Sequence, residues 1–106
     1  MKNEKIKVGG FHSVVPKNVV FFEADVNYSH VYLKNGMRFT VATTLKSLEA
    51  RFKPFDFYRS HKKFLINVHE VESCGNYEVQ LINQQMALVS RRKLNGLLER
   101  IKSKAS

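Results

Sequence analysis

Cysteine is nearly absent from this sequence of 106 residues. The single residue, Cys74, excludes an internal disulfide and any cluster of cysteine metal ligands, and it favours a reducing compartment over an oxidising one. Long apolar runs are also missing. No stretch approaches the ~20 residues of a membrane-spanning helix, and the polar start MKNEKIK is unlike a signal peptide. These absences predict a soluble, cytoplasmic protein that does not span a membrane.

Acidic residues are scarce relative to basic ones. Nine Asp and Glu stand against 18 Lys and Arg, which gives a formal net charge of +9. Such an excess favours a polyanionic partner, either nucleic acid or an anionic membrane surface, although a basic domain without any such partner is the alternative. The basic residues are clustered at Arg59–Lys63, at Arg91–Lys93 and in the tail Arg100, Lys102 and Lys104. Clustering favours a binding surface over a general excess of charge.

Groups of residues suited to catalysis or to metal binding are lacking as well. In Ser29-His30 and Ser60-His61 a nucleophile stands next to a base, but adjacent strand residues point to opposite faces and cannot share that hydrogen bond. The four histidines lack metal-site spacing, and only His69-Glu70 places one beside a carboxylate. We therefore expect no enzyme activity, no cofactor and no metal.

The sequence does contain the residues of a globular, mainly β domain. Hydrophobic residues make up 43% of it, and a chain of this length forms one domain, here residues 1–106. Short alternating or continuous apolar stretches predict strands, and Phe64–Val68 fits either a strand or a helical turn. The predicted strands lie in the hairpin Lys5–Val15, the buried run Val19–Phe22, a hairpin with a type I′ turn at Asn35-Gly36, and the stretches Phe57–His61, Val71–Ser73, Tyr77–Leu81 and Met86–Val89.

Two short helices are expected beside these strands. Thr44 is a suitable N-cap for a helix with apolar positions Leu45, Leu48 and Phe52, which Pro54 would end. Ser90 is a suitable N-cap for the last helix, whose apolar positions are Leu94, Leu97, Leu98 and Ile101. Residues 102–106 are polar, and we expect them to form a frayed tail.

Three polar clusters are candidates for the binding surface. In Phe57–Val68, four cationic or potentially cationic groups (Arg59, His61, Lys62 and Lys63) have apolar anchors on both sides, as expected of a loop that holds donors in fixed positions. In Ser90–Lys93, three cations oppose the dipole of the last helix unless a phosphate binds there. The third, Asn27–His30, reads as a polar loop between strands; on its own it is more typical of an ordinary turn.

The order and spacing of several motifs resemble the LytTR DNA-binding domain of bacterial transcription regulators over roughly residues 15–101. No single motif is specific, but together they follow the pattern of the family. The matching pieces are Phe21-Phe22-Glu23-Ala24, Asn27-Tyr28, Asn35-Gly36, Thr44-Leu45, Phe57–Lys63, Ile66-Asn67 and Val89-Ser90-Arg91-Arg92.

The resemblance implies an elongated stack of small, mostly antiparallel sheets whose loops enter successive major grooves of duplex DNA. Carried over position by position, it implies base reading by His30, Lys62 and Arg91. It leaves as phosphate contacts Arg59, His61, Lys63, Arg92 and Lys93, and as supporting residues Asn27, Tyr28, Ser29, Asn67 and Ser90. Family members commonly bind promoter direct repeats as pairs and carry an upstream receiver domain, which these residues could not encode; a stand-alone regulator and an excised output domain are both open.

One departure from the family pattern concerns specificity. Lys62-Lys63 stands where the family has Arg-Ser, which adds charge but removes a forked donor and could relax sequence preference. Two other functions remain open. One is a single-stranded DNA or RNA module that would stack bases on Tyr28, Tyr32, Tyr58 or Tyr77. The other is a protein-interaction module without DNA binding.

Overall fold

Ten strands and two α-helices build the described part of the chain, residues 4–105 of a computed structural model. The strands are β1 (Ile6–Gly9), β2 (His12–Val14), β3 (Val19–Asp25), β4 (Tyr28–Leu33), β5 (Arg38–Val41), β6 (Phe57–His61), β7 (Phe64–Asn67), β8 (Val71–Gly75), β9 (Glu78–Leu81) and β10 (Gln85–Leu88). The helices are α1 (Leu45–Phe52) and α2 (Leu94–Ala105). All strand pairs are antiparallel, and the predicted mainly β fold is confirmed.

A five-stranded sheet with the order β5-β4-β3-β7-β6 forms the middle layer. The β1–β2 hairpin and α1 pack on one face of it, and their core includes Val8, Leu48 and Phe52. The three-stranded sheet β10-β9-β8 and α2 pack on the other face, around Val79 and Leu97. The molecule measures 36 × 32 × 24 Å, so the stack of sheets is only modestly elongated.

β3 is apolar throughout its first half because both of its faces are covered. Phe22 points into the first core, where its ring lies 4.9 Å from that of Phe52. Phe21 points into the second core and stacks on Tyr32 at 4.2 Å. The prediction of a strand buried on both faces at Val19–Phe22 is confirmed, since all four residues are at most 2% exposed.

α1 forms where the sequence predicts it. Thr44 Oγ1 accepts a hydrogen bond from Ser47 N at 3.3 Å, which caps the helix, and the three predicted apolar positions are buried. A 3-10 turn, Lys53–Phe55, holds Pro54, and Asp56 then adopts a left-handed backbone (φ 62°) that turns the chain into β6.

Two predicted turns differ from the structure. Asn27–His30 is not a loop: only Val26 and Asn27 form the turn, and β4 begins at Tyr28. Asn35-Gly36 does not form a type I′ turn, because only Gly36 has positive φ. Bonds from Gly36 N to Leu33 O (3.0 Å) and from Leu33 N to Met37 O (2.9 Å) close a three-residue loop instead.

The structure also decides three predictions for the second half of the chain. Phe64–Asn67 is a fully buried strand, followed by the 3-10 turn Val68–Glu70. Ser90 precedes another 3-10 turn, Arg91–Lys93, without a side-chain cap bond, and α2 starts only at Leu94. α2 continues through Ala105, where we expected a frayed tail from residue 102; Ser106 lies outside the described residues.

Candidate nucleic-acid interface

The basic segment is the tip of a hairpin and not a free loop. Its closing pair is His61 and Phe64, so Lys62 and Lys63 form the turn, and both are exposed. Ser60 is fully buried just before the tip. The apolar anchors on either side are the strands β6 and β7 themselves, which fix where the two lysines emerge.

Arg59 holds the hairpin tip in shape. Its guanidinium donates from Nε to His61 O (3.2 Å) and from an Nη atom to Lys62 O (2.7 Å), and its other Nη atom lies 3.0 Å from Glu49 Oε1 on α1. Three of the five N–H groups are therefore used inside the protein. This geometry favours a positioning role, and a phosphate contact by Arg59 would have to use the two that remain.

His61 faces outward as a neutral donor. Its Nδ1 accepts a hydrogen bond from Lys63 N at 3.1 Å, which leaves the ring proton on Nε2. Burial lowers the pKa of His61, and the neighbouring cations Lys62, Lys63 and Arg59 lower that pKa further. Near neutral pH this ring therefore offers a phosphate an N–H group and not a positive charge.

The turn Arg91–Lys93 is attached to the same hairpin by three hydrogen bonds. Ser90 N donates to Ser60 O at 2.8 Å, and Ser60 Oγ donates to Leu88 O at 2.8 Å. Tyr58 OH donates to Lys93 O at 2.9 Å. Two basic clusters that are about 30 residues apart in the sequence are thereby held in one fixed arrangement.

An open cleft of about 400 Å³ lies between these two clusters. Its walls include His61 and Lys62 from the hairpin and Arg92 and Lys93 from the turn. Within residues 4–105, Lys62, Lys63, Arg91 and Arg92 form no ion pair with an acidic side chain. The cleft and its rim therefore present uncompensated positive charge.

His30 lies on β4 in the same row of the central sheet. His30 pairs with Glu23, Glu23 with Phe64, and Phe64 with His61, so these side chains share one face. Three strand spacings place His30 about 14 Å from His61. Its ring is held by Thr40 Oγ1 at 2.7 Å from Nδ1 and by Asp25 Oδ2 at 3.1 Å from Nε2. Both ring nitrogens are therefore engaged, and a base contact by His30 would have to replace one of these contacts.

The comparison with protein families decides what kind of domain this is. A family described as "LytTr DNA-binding domain" matches residues 9–102. The chain belongs to the LytTR family. LytTR domains are DNA-binding domains, so family membership makes DNA the partner of this chain.

A solved structure supports the fold of this LytTR domain. It is described as the "LytTr DNA-binding domain of putative methyl-accepting/DNA response regulator from Bacillus cereus". The two chains share 18% identity and superpose with a TM-score of 0.73, over 92% of this chain and 94% of the other. No curated protein matches the chain. Neither α-helix in the described range has the length and apolar content that crossing a membrane requires.

The residues that were predicted to support the binding surface of this LytTR domain lie in three different places. Asn27 and Tyr28 are exposed at the β3–β4 turn, whereas Ser29 is fully buried and donates to Thr43 O at 2.6 Å. We expected the Asn67 side chain to bond backbone near the basic loop, and it does bond backbone, from Nδ2 to Val19 O at 2.9 Å. It does so at the opposite end of β7 from the hairpin tip, so it does not support the basic loop directly.

The sequence alone does not indicate two contacts of the basic clusters. Tyr58, predicted only as a base-stacking candidate, joins the two clusters through Lys93 O, and Glu49 on α1 holds Arg59 within the first cluster. One signal was present in the sequence: Gly96 interrupts the last helix, and a β-carbon there would overlap the Tyr58 hydroxyl. A glycine inside a helix pattern thus marked the place where another element approaches closely.

Proposed function

We propose that this LytTR domain regulates transcription by binding duplex DNA at specific sequences, with base reading by His30, Lys62 and Arg91. The observation that carries the proposal is the single rigid surface formed by the hairpin tip and the turn Arg91–Lys93. Both clusters are cationic, and they are tied together by the bonds from Ser90 N to Ser60 O and from the Tyr58 hydroxyl to Lys93 O. A fixed set of donors suits the fixed geometry of a DNA groove better than separate flexible loops would.

The cations divide between two tasks. Arg91 suits the O6 and N7 atoms of guanine through two parallel hydrogen bonds, while Lys62 is a less directional donor to base acceptors. Lys63, Arg92 and Lys93 contact phosphates, with His61 as a neutral donor. Phosphate contacts set affinity and orientation, and base contacts set sequence preference.

Turns of the fold enter successive major grooves in this proposal. The long dimension of the molecule, 36 Å, is close to one helical turn of duplex DNA, about 34 Å. His30 lies on β4 and Arg91 in a 3-10 turn of another part of the chain, so they can address different parts of one site. We further propose that two copies bind promoter direct repeats, and that a regulatory partner or a receiver domain outside these residues controls them.

A single-stranded ligand fits the surface less well. Stacking of bases needs exposed aromatic ring faces, but the Tyr32 ring stacks on Phe21 at 4.2 Å and has Arg38 over it. The cationic groups of Lys93 and Arg100 each lie 5.6 Å from the centre of the Tyr58 ring. Tyr28 and Tyr77 are the exposed tyrosines that remain, at 53% and 45%. Competition between duplex and single-stranded DNA of the same sequence separates the two functions.

The proposal is tested by selecting duplexes from a random pool and measuring binding by fluorescence anisotropy. Arg91→Ala should weaken binding to the selected duplex by ~1–3 kcal/mol and reduce discrimination against mismatched sites. Lys34→Ala is the control, because Lys34 carries the same charge at the other end of the sheet, beside Glu70. If selection enriches no motif, or if Arg91→Ala and Lys34→Ala behave alike, the charge provides only nonspecific attraction and the proposal fails.

A further inference from the structure

The β3–β4 turn projects further from the molecule than the basic hairpin tip does. Ala24 N donates to Lys63 O at 2.8 Å, so Ala24 is level with the end of that tip. β3 and β4 continue past this level to a last pair, Asp25 and Tyr28, before Val26 and Asn27 close the turn. The turn is therefore the outermost point of the end of the sheet that carries the basic hairpin tip.

Val26 is an unusual residue at this outermost point. Its φ is 55°, in the left-handed region where a β-branched side chain is strained and where glycine is the preferred first residue of a two-residue hairpin loop. The side chain is 90% exposed, so it contributes no packing to the fold. Nothing inside the protein therefore offsets the strain of this valine.

The chemistry of the turn differs from that of the basic clusters. Residues 25–28 contain no Lys or Arg, and the one charged group, Asp25, lies 3.1 Å from His30 Nε2. Asn27 and Tyr28 can donate hydrogen bonds to phosphates, but the alkyl side chain of Val26 cannot, so a partner for Val26 on DNA lies on the base edges. The only apolar group that base pairs present in the major groove is the C5-methyl group of thymine.

We propose that Val26 reads a thymine methyl group in the major groove, next to the base that His30 contacts. The proposal rests on the proposed function and adds a specificity-determining residue to it. His30 lies four residues further along the same hairpin, so the two side chains address neighbouring base pairs.

The probe is a set of selected duplexes in which each thymine is replaced in turn by deoxyuridine, which lacks only the methyl group. For the wild type, replacement at one thymine should weaken binding roughly fourfold, the effect of one buried methyl group. For Val26→Gly, the same replacement should have no effect, because the valine that contacts the methyl group is gone. Val26→Gly should also bind the unmodified duplex roughly fourfold more weakly than the wild type does.

Gln84→Gly is the matched control. Gln84 is exposed and has a similar left-handed backbone (φ 60°), but it lies in the loop between β9 and β10, at the end of the fold away from the basic clusters. Both glycine variants relieve backbone strain, and each should raise Tm by roughly 2–6 °C. Only Val26→Gly should change the response to deoxyuridine, which separates DNA contact from folding.

The outcomes distinguish this proposal from the function on which it rests. If selection enriches no duplex, the proposed function fails. If a motif is enriched but no thymine replacement weakens the wild type, only the role of Val26 is overturned. It is also overturned if Val26→Gly weakens all duplexes equally and keeps the wild-type response to deoxyuridine, since the residue then acts through shape or through another protein surface.

Discussion

The two ends of the central sheet carry similar charged residues in opposite arrangements. One end, the basic edge, holds the β3–β4 turn, the hairpin tip Lys62-Lys63 and the turn Arg91–Lys93. The other, the far end, holds the β4–β5 loop and the turn Val68–Glu70. At the far end the acidic residues pair with cations: Lys34 Nζ lies 3.4 Å from Glu70 and Arg100 lies 3.5 Å from Asp56, although Lys17 nearby has no acidic partner within residues 4–105.

The acids of the basic edge are used differently. Glu49 holds Arg59, which shapes the hairpin tip, and Asp25 holds His30. The exposed cations Lys62, Lys63, Arg91 and Arg92 are left without an acidic partner among residues 4–105. Acidic residues at the far end therefore neutralise charge, whereas those at the basic edge orient donors. This difference identifies a binding surface better than the net charge of the chain does.

The largest effect of a single substitution is expected at the far end. Asn67 is 2% exposed, donates to Val19 O at 2.9 Å and accepts from His69 N at 3.0 Å. Asn67→Ala leaves these backbone groups unsatisfied and should lower the free energy of unfolding by about 2–4 kcal/mol in urea denaturation. DNA affinity of the folded fraction should not change.

A control at the same end is Asn83→Gly, which removes an exposed amide bond to Lys34 O (2.8 Å) but keeps the left-handed backbone. Its effect on stability should be small. If Asn67→Ala lowers the free energy of unfolding no more than Asn83→Gly does, the far end does not have a mainly structural role. If Asn67→Ala instead mainly reduces DNA affinity, the far end takes part in binding and the contrast between the two ends is wrong.

Some parts of the fold could be predicted from the sequence and others could not. β3 and α1 could be predicted, because their patterns depend on local chemistry: a continuous apolar run, and Thr44 ahead of spaced apolar residues. Ser29 could not, because its buried hydroxyl is satisfied by Thr43 O, which lies 14 residues away. From the sequence alone, a polar residue such as Ser29 is predicted to lie in a loop, because its distant hydrogen-bond partner is not known.

The same limit applies to the binding surface. The basic clusters could be found from charge alone. The roles within them could not, because the partner of Arg59 is Glu49 on a helix, ten residues earlier in the chain. The family resemblance supplied His30, whose polar surroundings alone had favoured an ordinary turn.

The connection between the two basic clusters gives the second largest expected effect. Gly96→Ala introduces a β-carbon that overlaps the Tyr58 hydroxyl, so the hairpin and the turn Arg91–Lys93 must move apart. Overpacking of this kind costs about 1–3 kcal/mol, which exceeds the roughly 1 kcal/mol that alanine gains over glycine in a helix. Thermal unfolding and DNA titration should both show a loss.

Tyr58→Phe supplies the control for that substitution. Alone it removes the bond to Lys93 O and should cost about 1 kcal/mol. Combined with Gly96→Ala it removes the overlapping hydroxyl, so the double variant should be more stable than the sum of the two single effects predicts. Additive effects would mean that the clusters are not joined through this contact.

A smaller effect is expected from single lysines at the two ends. Lys63→Ala should weaken all duplexes to a similar extent and reduce the slope of log K against log salt by about 1, because one phosphate contact is lost. Lys34→Ala removes an equal charge at the far end, where Glu70 is the partner, and should leave the slope unchanged. Equal slopes for the two variants would show that long-range net charge, and not the basic edge, attracts DNA.

The smallest effect is a pH dependence at His61. Because its pKa in the folded protein lies below the usual value, the unfolded chain binds the proton more readily. The stabilisation by neutral His61 is thus complete above pH ~6.5 and is lost as the pH falls through the folded pKa. Between pH 7 and 5, wild-type Tm should therefore fall more steeply than that of His61→Gln.

DNA reverses the sign of this dependence. A phosphate beside His61 favours the charged ring, so binding takes up a proton and wild-type affinity should rise as the pH falls, more than for His61→Gln. If Tm falls and DNA affinity rises as the pH is lowered, and if both changes are smaller in His61→Gln, this ring lies at a phosphate on the basic edge. Parallel slopes in wild type and variant would mean that His61 only shapes the hairpin tip, as Arg59 does, and would leave the phosphate contacts to the lysines and Arg92.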